Sequence, residues 1–287
     1  MPDHILITNQ IKSFNKKINV SSDKSISIRS VLLASQAVGI SNITNLLESE
    51  DVLNTLKTIK KLGIKYTKIG KTYKIEGFGL NGFNIKKKTI IDAGNSGTLA
   101  RLILGLLVKT KFPVKLIGDK SLSKRDFSRV IKPLKLLGVN IKSKKDLIPI
   151  EITGTDFLRP ITYYEKIGSA QVKSCLILAA LNTPGKTIIN SKKSRDHTEI
   201  MLKYLKYPIK VQRKKSYDKI SVQGLNQFKS FNYNVPGDIS SAAFFIVLTL
   251  LSNKSKIIIK NINVNKSRTG IITILNKMGA NIKLRNR

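Results

Sequence analysis

The chain has 287 residues, of which 52 are Lys or Arg and 17 are Asp or Glu, so its formal net charge at pH 7 is +35. With 41% hydrophobic residues it can form two domains, each with a core, yet its apolar runs are far shorter than the roughly 18 residues that span a bilayer. One cysteine and two histidines exclude an internal disulfide and leave too few ligands for a cysteine–histidine metal site, so no metal is expected.

The positive charge would suit either nucleic acid or a strongly anionic small molecule. Basic residues are scattered singly and in pairs, the longest lysine run is Lys86–Lys88, and tryptophan is absent. A base-stacking surface needs aromatic side chains interleaved with the basic ones. We therefore expect no nucleic-acid partner. We recognise neither an N-terminal targeting segment nor a membrane segment, and so expect a cytoplasmic protein.

Four predicted helices begin with small or polar residues and recur about every 70 residues. These helix starts are Asp23–Ser25, Gly94–Ser96, Gly168–Gln171 and Gly237–Ser240. A short strand, a polar loop and a second helix follow each of them. The second helices end at a glycine, or at a proline in the third copy, as helix C-termini commonly do.

A hairpin follows the second helix in the first three copies. The predicted strand pairs are Ile64–Lys68 with Thr72–Glu76, Val139–Ser143 with Ile148–Thr153, and Ile209–Arg213 with Lys219–Gln223. This repeat predicts the α/β class with three complete units. A fourth copy stops after the first strand of its hairpin, so we interpret the sequence as C-terminally truncated.

The second helix start, Asp92–Arg101, has the composition of an anion-binding site. The first N–H groups of a helix lack partners within it and lie at the positive end of its dipole. Gly94 and Gly97 would let a ligand approach the backbone, and Arg101 lies one turn further along. The alternative is an ordinary capped helix.

The first and third helix starts have similar features. Lys24, Ser25 and Arg29 can share one helix face and offer a mobile charge beside a bidentate fork. Gly168–Lys173 offers hydroxyl and amide donors that suit a phosphate. Capped helices with solvated basic side chains are the alternative for both.

Two charged loops, Gly118–Asp126 and Ser194–Thr198, precede second helices and could supply further ligands. Exposed loops with incidental charges are the alternative. Cys175 lies among aliphatic residues, so we interpret it as part of the core. His197 follows Asp196 at a helix start, where a structural role or a substrate contact is favoured over a role as a base.

Seven blocks resemble, in order and spacing, those of the 5-enolpyruvylshikimate-3-phosphate synthase family, over essentially the whole chain. They are Asp23–Arg29, Gly94–Arg101, Gly118–Arg125, Ser169–Ser174, Ser194–Glu199, Val235–Ala242 and Arg268–Gly270. Ala170 in the fourth block further resembles the class II branch. The resemblance implies the enolpyruvyl transferase fold, an inside-out α/β barrel of repeated βαβαββ units. It implies a complete domain at residues 21–235 and part of a second at residues 1–20 with 236–287.

The family transfers the enolpyruvyl group of phosphoenolpyruvate to the 5-hydroxyl of shikimate 3-phosphate, releasing phosphate without a metal or organic cofactor. By motif match, the shikimate 3-phosphate ligands would be Lys24, Ser25, Arg29, Ser169, Ala170, Gln171 and Arg195. The phosphoenolpyruvate ligands would be Lys24, Asn95, Gly97, Arg125 and Gln171. The family's catalytic carboxylates would fall beyond Arg287, so no catalytic residue is assigned. We expect a monomer.

Two positions depart from the family pattern. Asp126 stands where the family usually has proline, placing a carboxylate beside an anion site unless it points to solvent, and Ile28 replaces a common histidine. The related UDP-N-acetylglucosamine enolpyruvyl transferases typically have a loop cysteine that Gly118–Asp126 lacks. The alternative from another class is a truncated, non-catalytic relative that binds anions or nucleic acid.

Overall fold

A computed structural model describes residues 12–285 of the chain. Its contacts divide the chain into two compact units. The larger unit is residues 24–235, and the smaller unit combines residues 1–23 with residues 236–287. The chain thus enters the larger unit once and leaves it once.

The elements alternate between helices and short strands along the whole chain. The helices are α1 (Lys24–Ala34), α2 (Glu50–Lys61), α3 (Gly97–Leu106), α4 (Ser128–Leu136), α5 (Ala170–Leu181), α6 (His197–Tyr204), α7 (Ile239–Leu251) and α8 (Gly270–Lys277). The strands are β1 (Asn15–Ile18), β2 (Val38–Thr44), β3 (Lys65–Ile69), β4 (Thr72–Phe78), β5 (Thr89–Asp92), β6 (Val114–Ile117), β7 (Asn140–Ser143), β8 (Ile150–Thr153), β9 (Thr162–Glu165), β10 (Lys186–Lys192), β11 (Ile209–Arg213), β12 (Tyr217–Gln223), β13 (Asn232–Asn234) and β14 (Lys256–Ile259). The three predicted hairpins are confirmed as β3–β4, β7–β8 and β11–β12.

Three sheets of the larger unit share one pattern. Their strand orders are β13-β2-β4-β3, β5-β6-β8-β7 and β9-β10-β12-β11. In each, the first pair is parallel and the other two pairs are antiparallel. The repeat predicted from the sequence is therefore a repeat of sheets, which confirms the α/β class.

The first strand in the order of the first sheet comes from the C-terminal end of the larger unit. Strand β1 pairs in parallel with β14 in the smaller unit, so it is not part of the sheet formed by the repeat that follows it in sequence. Strand β13 takes that place and runs parallel to β2, with Asn232 opposite Asn42. The Nδ2 atom of Asn42 donates to Oδ1 of Asn232 at 2.8 Å. The two ends of the larger unit thereby meet in one sheet.

The core of the larger unit is built on α1, α3 and α5. Almost all residues of these helices beyond the first turn are buried, including Ser27, Arg29 and Ser30 of α1, so the helices lie inside the unit. A Cβ added to Gly105 of α3 would lie 2.2 Å from the carbonyl oxygen of Cys175 in α5, so the two backbones are in contact. Cys175 itself is fully buried, which confirms its prediction as a core residue.

The predicted helix ends are confirmed where glycine follows a second helix. Gly63, Gly138 and Gly279 have φ values of +91°, +101° and +92°, the left-handed conformation that glycine adopts without strain. In the third copy Lys206, just before the predicted stop at Pro208, has a φ of +56°. A left-handed residue thus ends that second helix as well.

The smaller unit has a separate core cluster of Ile239, Ala242 and Ile272. On α7 only Ile239 and Ala242 are buried, and Phe244 and Leu251 are largely exposed. No helix within residues 12–285 combines the length and the apolarity required to cross a membrane.

Candidate functional site

The start of α3 is shaped by short side chains and a left-handed glycine. Ser96 caps the helix, its Oγ accepting from the Leu99 backbone N–H at 3.2 Å. The Gly94 N–H donates to the Asp92 carboxylate at 2.8 Å, and Gly94 has a φ of +54°. This turn brings Gly97, the first residue of the helix, to a buried position.

Two guanidinium groups converge on Gly97. A Cβ at this position would lie 2.9 Å from Nη1 of Arg101 and 2.9 Å from Nη1 of Arg125. The pKa of Arg101 is lowered by burial and by the neighbouring positive charge of Arg125. Two crowded cations beside a helix N-terminus form a site that an anion would stabilise.

Asn95, at the start of α3, contacts both Arg125 and the loop that contains Arg125. Its Oδ1 accepts from Nη2 of Arg125 at 2.9 Å, and its Nδ2 donates to the carboxylate of Asp119 at 2.6 Å. The Leu122 N–H donates to the same carboxylate at 2.7 Å and is the main cause that lowers the pKa of Asp119. The Gly118–Arg125 loop is thereby tied to the start of α3.

Gln171 joins the starts of α3 and α5. Its Oε1 accepts from Nη1 of Arg101 at 3.1 Å, and its Nε2 donates to Oγ1 of Thr98 at 3.0 Å. Arg101 also lies over the ring of Phe127, with its Cζ 4.7 Å from the ring centroid. The structure therefore brings Gln171 together with the predicted residues at Gly97.

Arg29 connects α1 to α5 and α6 from a buried position. Its Nε donates to Oγ1 of Thr198 at 2.8 Å, and its Nη2 donates to Oγ of Ser174 at 3.0 Å. Its Nη1 donates to the carbonyl oxygen of Ser25 one turn earlier. The guanidinium is thus held in one orientation by three helices.

Lys24, the first residue of α1, is half exposed and forms an ion pair with Asp51 of α2, with 2.9 Å between Nζ and Oδ2. Sequence analysis missed Asp51, although the acidic first turn of α2 is a visible signal. An anion that binds Lys24 competes with this carboxylate.

The start of α5 presents Ser169, Ala170 and Gln171, all partly buried. Ser169 caps the helix, and its Oγ accepts from the Val172 N–H at 3.4 Å. The carboxylate of Glu165, which precedes this loop on β9, accepts from the N–H groups of Gly168 and Ser169. Sequence analysis missed Glu165, because nothing in the sequence pattern points to it.

Arg195 is exposed in the segment before α6. Its neighbour Asp196 is buried and accepts from Nη2 of Arg213 on β11 at 2.6 Å. His197, the first residue of α6, is also buried. The roles expected for His197, structural or in contact with substrate, stay predictions.

Asp126 lies at the start of α4 and is exposed. Its two carboxylate oxygens accept from the backbone N–H and the Oγ of Ser128, each at 2.7 Å, and the backbone bond is the main cause that lowers its pKa. Its carbonyl oxygen accepts from Nη2 of Arg101 at 3.2 Å. The side chain of Asp126 is therefore hydrogen-bonded to the start of α4, and its backbone carbonyl oxygen is hydrogen-bonded to Arg101.

One ion pair behind the site is fully buried. Nζ of Lys173 on α5 lies 2.8 Å from Oε1 of Glu199 on α6, and both side chains are almost completely inaccessible. Apart from this ion pair, no hydrogen-bond partner is found among residues 12–285 for Nζ of Lys173 or for Oε2 of Glu199. Burial raises the pKa of Glu199, and the charge of Lys173 opposes that rise.

Comparison with known proteins decides the family. The family model described as EPSP synthase (3-phosphoshikimate 1-carboxyvinyltransferase) matches residues 8–287. The chain belongs to the EPSP synthase family.

Named relatives of this family match most of the chain. The 3-phosphoshikimate 1-carboxyvinyltransferase of Ruthia magnifica subsp. Calyptogena magnifica is 45% identical over 270 residues, which are 94% of this chain and 61% of that protein. The enzyme of the same name from Streptococcus sanguinis (strain SK36) is 40% identical, over 97% of this chain and 65% of that protein. The chain thus spans about three fifths of the length of these EPSP synthase relatives.

Solved structures give the same family. The EPSP synthase from Acinetobacter baumannii superposes with a TM-score of 0.88 and 38% sequence identity, over 96% of this chain and 62% of that one. Its likeness confirms the predicted enolpyruvyl transferase fold.

Proposed function

We propose that the protein to which this chain belongs transfers the enolpyruvyl group of phosphoenolpyruvate to the 5-hydroxyl of shikimate 3-phosphate and releases phosphate. One observation carries the proposal: Gln171 joins two anion-binding helix starts in the same unit, those of α3 and α5. A reaction between two anionic substrates needs two such sites next to each other. Family membership supports the same reaction.

The two substrates divide between these helix starts. We assign shikimate 3-phosphate to the set that surrounds α1, α5 and the segment before α6, namely Lys24, Ser25, Arg29, Ser169, Ala170, Gln171 and Arg195. We assign phosphoenolpyruvate to the set at α3, namely Lys24, Asn95, Gly97, Arg125 and Gln171. Lys24 and Gln171 are shared, since an ammonium group and an amide can each serve two neighbouring anions.

The residues of this chain bind and orient the substrates in this proposal. The guanidinium groups at Gly97 neutralise the negative charge of phosphoenolpyruvate, and substrate binding replaces Asp51 as the partner of Lys24. Positioning two reactants in this way supplies a large part of an enzyme's rate enhancement. No proton transfer is assigned to these residues.

The same proposal covers organisation and location. We take the larger unit as a complete three-repeat domain and the smaller unit as part of a second domain. We further propose a cytoplasmic monomer that acts on the two small molecules without a metal or organic cofactor.

Isothermal titration of the 287-residue chain with shikimate 3-phosphate tests the proposal. Lys24→Ala and Arg195→Ala should each weaken binding roughly tenfold or more, because each removes a charged hydrogen-bond donor from the ligand. Lys57→Ala is the matched control, since Lys57 is an exposed lysine of α2 and its loss changes the net charge equally.

Either of two results would refute the proposal. One is that the wild-type chain does not bind shikimate 3-phosphate. The other is steeply salt-dependent binding to DNA that the compound does not affect, which would favour the non-catalytic polyanion-binding alternative.

A further inference from the structure

A buried glutamate controls the loop in front of α5. Glu165, the last residue of β9, is 5% exposed. Its carboxylate accepts from the backbone N–H groups of Ile167 at 3.2 Å, Gly168 at 2.6 Å and Ser169 at 3.0 Å. Three consecutive N–H groups therefore turn towards one side chain.

The neighbouring strand places a hydroxyl beside the same carboxylate. Ser191 of β10 stands opposite Glu165 in the sheet register, and the single proton of its Oγ is shared between the carbonyl oxygen of Lys192 at 2.9 Å and Oε2 of Glu165 at 3.3 Å. A buried carboxylate is costly unless its oxygens are hydrogen-bonded, and here the three loop N–H groups satisfy it, with the Ser191 hydroxyl as a weaker contact from the sheet. The loop is thus attached to the rigid sheet through one carboxylate.

This attachment decides which N–H groups at the start of α5 remain for a ligand. Those of Gly168 and Ser169 donate to Glu165, and that of Val172 donates to the Ser169 side chain. Among the described groups of this helix start, the N–H groups of Ala170 and Gln171 are left for an anion. Their direction follows from the loop conformation, in which Gly168 has a φ of +84°.

We propose that Glu165 is a positioning residue that fixes Ser169, Ala170 and Gln171 for the phosphate of shikimate 3-phosphate. This inference rests on the proposed function and deepens it. Glu165 touches no substrate and acts through the loop. Because its own charge repels a phosphate, its contribution is geometric and its charge is offset by the N–H donors.

The variant Glu165→Gln changes the hydrogen bonds of the side chain while keeping its volume. Glutamine keeps the shape of the side chain but offers one acceptor oxygen, and its NH₂ group faces backbone donors that need an acceptor. We expect the affinity for shikimate 3-phosphate to fall roughly tenfold to a hundredfold, since a small displacement of positioning groups has effects of this size. The affinity for shikimate, which lacks the phosphate, should change less than about twofold.

The experiment is calorimetric titration of the 287-residue wild type and variants with both compounds, at a temperature where circular dichroism shows each protein folded. The ³¹P resonance of bound shikimate 3-phosphate provides a spectroscopic readout, which should shift in the variant. Glu48→Gln is the control for charge, because Glu48 forms a surface pair with Lys68. Ser191→Ala removes the hydroxyl that lies beside Oε2 of Glu165 and should produce a smaller loss in the same direction, including when Glu165→Gln fails to fold.

The outcomes are distinct. Loss of affinity restricted to the phosphate-bearing compound, with a shifted ³¹P resonance, supports the positioning role. Equal affinity in wild type and variant, or equal losses for both compounds, overturns it while leaving the proposed function intact. If the wild type itself does not bind shikimate 3-phosphate, the proposed function fails and this role fails with it.

Discussion

Removing the positive member of the buried pair between α5 and α6 should destabilise the larger unit strongly. Lys173→Met leaves the Glu199 carboxylate without the ammonium that lies 2.8 Å away. Breaking one side of a buried ion pair costs about 3 to 5 kcal/mol, because the remaining charge is uncompensated. For a unit of this size we expect the melting temperature to fall by roughly 6 to 20 °C.

The loss of stability in Lys173→Met should depend on pH, and the pKa of Glu199 sets the direction of that dependence. Burial already raises the pKa of Glu199 above its ordinary value of 4.5, and loss of Lys173 raises it further. A carboxyl group whose pKa is higher in the folded state binds a proton preferentially when folded, so it contributes most stability below the unfolded value. The deficit of Lys173→Met should therefore shrink as the pH is lowered from 7 towards 4.5.

Urea unfolding monitored by circular dichroism at several pH values measures the effect. Lys57→Met, a change at an exposed lysine, should stay within about 0.5 kcal/mol of wild type. The double variant Lys173→Met with Glu199→Met should recover most of the loss, since a packed apolar pair replaces a buried ion pair at little cost. A deficit below about 1 kcal/mol at pH 7, or one that does not change with pH, would refute the reasoning.

Three further predictions concern the helices that form the site. Gly105→Ala places a methyl group 2.2 Å from a carbonyl oxygen of α5, and this oxygen cannot move without the helix. Thermal unfolding should therefore show a loss of roughly 3 kcal/mol in the free energy of unfolding. A variant as stable as wild type would contradict the close contact. In Gly97→Ala the added methyl group contacts the guanidinium groups of two flexible arginine side chains, so the free energy of unfolding should be nearly unchanged. Titration should show phosphoenolpyruvate binding weakened about tenfold or more. Unchanged binding would remove Gly97 from the proposed ligands. Burial raises the pKa of Cys175 to about 12, so a disulfide reagent at pH 8 should label it only as fast as the protein unfolds, and rapid labelling would show that the helix is accessible.

The repeated helices and hairpins were predictable because their signals are local. In each hairpin the second strand alternates between buried and more exposed residues, and each second helix ends at a residue whose backbone adopts a left-handed conformation. The anion-binding character of Asp92–Arg101 was equally local, since its glycines, cap and arginine lie within one short stretch.

The first strand of each sheet was not predictable from the residues alone. Strands β5, β9 and β13 have three or four residues each, and β13, Asn232–Asn234, is polar throughout apart from Tyr233. Pairing partners far away in sequence define such strands. The role of Glu165 could not be predicted for the same reason. Only the folded structure shows that the loop N–H groups and Ser191 lie around this glutamate at a strand end.

The completion of the first sheet by β13 has a consequence for synthesis on the ribosome. Asn42 and Asn232 pair across 190 residues, so β2 keeps an open edge until nearly the whole larger unit has been translated. At a synthesis rate of about 5 to 20 residues per second this interval lasts roughly 10 to 40 s. An unpaired strand edge exposed for so long is a template for aggregation. Among the sheets of the larger unit, the first is therefore the one whose strand edge stays unpaired longest during synthesis.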